Sequence, residues 1–128
     1  MKGRWALLAA VIACQDASSP VDPVWGKQAC ASCTMLVSER RFAAELVTAD
    51  GTRVFFDDPG CMATWLVDGN EPRTMWVRLH GGWVGARGAR FARGQASPMG
   101  FDFAADENGD ATWADVERAA RERKGEPR

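Results

Sequence analysis

The sequence predicts an α+β fold: two ββαβ-like halves packed as one small domain, with the second half cut short of a last strand. Three observations point there. Two β-rich runs flank Asp50-Gly51 within residues 41–58. A capped apolar stretch follows at residues 57–69. The order strand, strand, helix then recurs after residue 83.

The elements can be justified in turn. Asp-Gly between two β-rich runs is a hairpin signal, because both residues tolerate positive φ. Phe42, Ala44 and Leu46 alternate onto one face of the first strand, and Val54 and Phe56 onto one face of the second. Asp57 or Asp58 can cap the following helix, Pro59 suits its first turn and Gly69 can end it. Cys61, Met62, Trp65 and Leu66 fall on one stripe of that helix. Residues 74–82 read as a third strand running into a glycine turn. In the second half, residues 83–94 and 99–105 read as strands, the latter alternating Phe101 and Phe103. Thr112 to Asp115 resembles a capping box, and Trp113, Val116 and Ala120 share a face of a final helix that Gly125 and Pro127 stop. Asp106, Asn108 and Asp110 do not make a calcium loop, since the glycine is misplaced and no bidentate Glu follows.

The N-terminus sets the compartment. Residues 1–4 are basic and residues 5–13 form an apolar run, which fits a secretory signal and is too short to span a bilayer. The run ends at Val11-Ile12-Ala13-Cys14, which resembles a bacterial lipobox with Cys14 as the lipidated residue. Residues 1–13 are then a lipoprotein signal peptide, residues 14–28 a flexible polar tether, and residues 29–125 the folded domain. The expected location is the bacterial cell envelope, anchored to a membrane and facing the periplasm. Loss of Lys2 and Arg4 takes 16 basic groups to 14 against 17 acidic ones, so the formal charge moves from −1 to −3. That balance gives no argument for nucleic acid as a partner, and the arginines between Arg87 and Arg93 read as one solvated strand face.

With Cys14 as anchor, Cys30, Cys33 and Cys61 remain, an odd number for an oxidising compartment. Cys33 and Met35 lie two residues apart. A thiolate and a thioether at that spacing can converge on one ion, and both are soft ligands that suit Cu(I). Met35 can equally begin the apolar run Met35-Leu36-Val37 and pack in the core. Three other readings stand beside copper. Cys30, Cys33, Cys61 and His80 make a chemically complete Cys₃His zinc set. Cys30-Ala-Ser-Cys33 has the spacing of a thiol–disulfide redox pair, which works at a helix N-terminus. The cysteines can also be a plain structural staple. His80, the only histidine, otherwise reads as a satisfied loop residue.

Ser32-Cys33-Thr34-Met35 resembles the Cys-x-Met signature of NosL-type lipoproteins. Phe55-Phe56-Asp57-Asp58 with the helix Pro59 to Leu66, then Trp83-Val84-Gly85-Ala86-Arg87, Ser97-Pro98-Met99-Gly100 and Phe103-Ala104-Ala105 are similar to later segments of that family, in order. The resemblance covers residues 29–105. It implies two ββαβ-like halves and no enzymatic activity. It also implies a Cu(I) chaperone role toward an extracytoplasmic copper enzyme such as nitrous oxide reductase. It carries Cys33 and Met35 over as copper ligands, with Met99 a further one. Cys30 and Cys61 complete the candidate metal residues. Cys30 lies outside the minimal motif and reads as a bystander or regulator, able to close a disulfide with Cys33.

Overall fold

The computed structural model describes residues 18–125. The expected signal peptide and the lipidation candidate Cys14 lie outside them. Among the described residues, no helix is long and apolar enough to cross a membrane.

The fold is α+β, with two antiparallel sheets and two helices. A 3-10 turn (Arg40–Phe42) leads into β1 (Ala44–Thr48), β2 (Arg53–Phe56), α1 (Pro59–Val67), β3 (Pro72–Leu79) and β4 (Gly82–Gly85). These strands form one sheet in the order β2-β1-β3-β4. β5 (Arg90–Ala92), β6 (Ala104–Ala105) and β7 (Ala111–Thr112) form a second sheet in the order β6-β5-β7, and α2 (Trp113–Arg123) closes the chain.

Register follows the apolar alternation. Ala44 pairs with Phe56 and Val77, and Leu46 with Val54 and Met75. These residues share the face that meets α1, and Ala44, Leu46 and Phe56 are fully buried. The opposite face carries Glu45, Val47, Trp76 and Arg78, and Glu45 is also fully buried. The cover there is the segment expected to be a free tether. Val21 N–H donates to Glu45 Oε1 at 2.8 Å, Arg53 donates to the Ser19 carbonyl at 2.8 Å, and Asp22 accepts from Arg78 at 2.6 Å. Pro23 is buried and Trp25 packs on the core. The docked strap therefore reaches back to about residue 19, because Glu45, Arg53 and Arg78 each find a hydrogen-bond partner in this stretch.

The hairpin forms at Asp50-Gly51, but only Gly51 takes positive φ (+90°). Asp50 instead accepts hydrogen bonds from the Thr48 hydroxyl and the Thr52 N–H. Phe42 is buried from the 3-10 turn rather than from a strand.

The second half departs further from expectation. The single strand expected at 83–94 is two short strands in different sheets, split where the chain turns at Ala86–Ala89 (Ala89 N to Ala86 O, 3.2 Å). Of 99–105 only Ala104–Ala105 is strand. Asp102 has φ +67°, and its N–H is bound by Ser97 Oγ at 2.8 Å, so 97–102 folds as a compact turn. β7 was not foreseen. It is reached through Gly109, where an added Cβ would sit 2.2 Å from the Phe91 backbone. The capping box of α2 forms as expected, with Asp115 accepting from the Thr112 N–H at 2.8 Å.

Candidate metal centre

Residues 29–36 form a tight knuckle before the first strand. Ala29 and Leu36 bridge, Cys30 N–H donates to Met35 O at 2.7 Å, and Thr34 N–H donates to Cys30 O at 3.0 Å. Thr34 reverses the chain at φ +68°. Ala31 N–H then donates to Phe55 O at 3.0 Å, which ties the knuckle to the end of β2. Two residues beyond Phe55 stands Asp57.

The helix cap separates the two aspartates. Asp58 is the N-cap, its carboxylate accepting from Gly60 N–H at 2.9 Å. Asp57 is thus free to face the knuckle, where the Cys33 thiol donates to it at 3.3 Å (Oδ1) and 3.4 Å (Oδ2). Cys61 stands in the first turn of α1. The ligand atoms of Cys30, Cys33, Asp57 and Cys61 all lie within 4.8 Å of one another. A tetrahedral ion with metal–sulfur bonds of about 2.3 Å would hold its ligands about 3.8 Å apart, so modest side-chain rotation closes this group on one ion.

Burial and polarity are graded across the group. Cys30 and Cys61 are each 2% exposed, whereas Cys33 is partly exposed. The Cys61 thiol donates to Cys30; with N–H groups of Cys33, Asp57 and Ser32 added, this outweighs burial and lowers Cys30 from 9.0 to about 6. Donation to Cys30, then burial, holds the Cys61 thiol well above its ordinary value. Burial pushes Cys33 up to about 12, against an opposing N–H from Met35. Cys30 is thus the sulfur most easily deprotonated, and Cys33 and Cys61 must give up their protons to bind an ion.

The other expected residues stand as follows. Met35 is 50% exposed, so it does not pack in the core. Met99 is half-buried, and its N–H donates to Asp58 Oδ2 at 3.0 Å beside the start of α1. Phe101, in the same turn, lies flat against Gly60. Cys30, expected outside the minimal Cys-x-Met motif, stands in the buried group beside Cys33, Asp57 and Cys61. His80 is not a member: it sits in the β3–β4 turn at φ +49°, is 73% exposed and faces Glu107 at 3.4 Å. The Cys₃His set is therefore replaced by Cys₃Asp. The C-x-x-C pair lies in a loop rather than at a helix start, which is not the setting of a thioredoxin-like motif. Asp57 is the residue that sequence reasoning missed. Its signal was the doublet Asp57-Asp58, of which a helix cap uses one.

The fold and the site define an α+β domain carrying a Cys₃Asp cluster that could hold a metal ion. Comparison with protein families, with curated proteins and with solved structures returns no match.

Proposed function

We propose that this chain is an extracytoplasmic Cu(I)-binding lipoprotein of the NosL type, a metallochaperone that passes copper to a copper enzyme such as nitrous oxide reductase. The observation that carries the reading is the convergence of three cysteine sulfurs with no histidine nitrogen among them. Sulfur-rich sets select Cu(I). The graded burial suits a carrier: Cys30 and Cys61 retain the ion, while Cys33 and the exposed Met35 thioether offer it to an acceptor. Oxygen and imidazole donors, which would favour harder ions, are limited to Asp57.

Asp57 supports one second reading, a zinc site with Cys₃Asp ligation, because its carboxylate completes a tetrahedral donor set. Competition for Cu(I) against a chromophoric chelator under reducing conditions tests the proposal. Cys30→Ser, Cys33→Ser and Cys61→Ser should each weaken Cu(I) binding by about tenfold or more. If the wild-type chain prefers Zn(II), or if Cys61→Ser leaves Cu(I) affinity unchanged, the three-sulfur carrier is wrong.

A further inference from the structure

A cluster of arginines lies outside the cysteine group. Arg40 and Arg41 on the 3-10 turn and Arg78 on β3 line one cavity of about 410 Å³, together with His80 and Asp106. Each guanidinium is already fixed. Arg40 stacks on Trp25 at 4.9 Å. Arg41 stacks on Phe42 at 4.5 Å and donates to Gln95 Oε1 at 2.6 Å. Arg78 lies at 5.2 Å from the Trp25 ring and 5.1 Å from the Trp83 ring, and donates to Asp22 at 2.6 Å.

The charges do not balance. Among the described residues no carboxylate pairs with Arg40 or Arg41. Arg78 is only 8% exposed and is paired with Asp22, so it adds positive charge to the wall rather than a free donor. Asp22 is taken by Arg78, and Asp106 is the carboxylate in the cavity lining, so the two exposed guanidinium forks of Arg40 and Arg41 are left to receive an oxyanion with several acceptor oxygens. The cavity is larger than a bare anion needs, so it accommodates a phosphate group that carries a substituent.

We infer that this cavity binds a phosphate group through Arg40 and Arg41. The inference is independent of the metal reading, since it uses none of the cysteines. The phosphate can be free inorganic phosphate or the headgroup of a phospholipid; the strap bearing Asp22 and Trp25 leads toward the expected anchor at Cys14, which would place a membrane within reach.

The test uses the full chain carrying Cys14→Ser, so that acylation cannot cause membrane binding. Inorganic phosphate is titrated at low ionic strength and followed by tryptophan fluorescence, because Trp25 contacts two of the arginines. Co-sedimentation is measured with phosphatidylcholine vesicles with and without phosphatidic acid. Arg40→Gln/Arg41→Gln is the comparison; both residues are exposed, and an unchanged melting temperature shows that the fold survives. Saturable binding of phosphate, weakened about tenfold or more in the double variant, supports the site with a free anion as ligand. Binding of phosphatidic acid vesicles alone, with the same loss, supports it with a headgroup as ligand. No saturable binding of either probe, or binding that the double variant retains, overturns it.

Discussion

The Cys33 thiol shares its hydrogen between both oxygens of Asp57, at 3.3 and 3.4 Å. The contact joins a loop ahead of the first strand to the residue between β2 and α1. It depends on Asp58 taking the helix cap, so that Asp57 faces the sulfurs. It also separates the two metal readings, because Asp57 is a ligand in one and a hydrogen-bond acceptor in the other.

Asp57→Asn keeps the shape and removes the charge. On the copper reading, Cu(I) affinity changes little, while any Zn(II) affinity falls by about tenfold or more. Parallel chelator competitions for the two ions check this. Equal large losses for both would make the oxygen a shared ligand.

The cysteine group imposes a pH dependence on apo stability. Cys30 is depressed from 9.0 to about 6, so its thiolate contributes stability that is fully present above pH 9 and lost as pH falls toward 6. Cys33, raised to about 12, opposes any further gain above pH 9. Under reducing, metal-free conditions, the urea midpoint should rise from pH 6 to pH 9. In Cys30→Ser that rise should be much smaller. An identical slope in the two proteins would contradict the assignment of the thiolate to Cys30.

Gly60 lets the turn at 97–101 close over the start of α1. An added Cβ would stand 2.0 to 2.5 Å from Phe101 ring atoms. Gly60→Ala should therefore cost about 1–3 kcal/mol in chemical denaturation. Phe101→Leu in the same chain should return part of that loss. If Gly60→Ala is neutral, the close packing of this turn on the helix is not present in solution.

Met35 is half exposed and contributes little to the core. Met35→Leu should change stability by less than about 0.5 kcal/mol. It should also slow Cu(I) transfer to a competing chelator in stopped flow. A destabilised protein with unchanged transfer would return Met35 to a packing role.

The first half was legible because its signals are local and agree. Alternation set β1 and β2, and Asp58-Pro59 set the start of α1. The second half was less so. Its strands are two or three residues long, Asp102 turns at positive φ inside a loop with no periodic pattern, and Gly109 is set by Arg90 and Phe91, distant in sequence. The docked strap was hidden for a related reason. Residues 19–25 have no periodicity, and partners on other strands (Glu45, Arg53, Arg78 and Trp83) make them fold down. At the site, the three cysteines were visible as residue types. Their convergence was not, because it rests on the Ala31–Phe55 hydrogen bond and on which aspartate caps the helix. The zinc set failed because spacing cannot show that His80 points into solvent beside Glu107.

The central claim is that one soft ion is held by the sulfurs of Cys30, Cys33 and Cys61. Copper K-edge X-ray absorption on the reduced chain loaded with Cu(I) tests it most directly. The account predicts one copper per chain, in the Cu(I) state, with a first shell of sulfur alone. An oxygen or nitrogen neighbour in that shell, or copper that binds at well below one per chain, would contradict it.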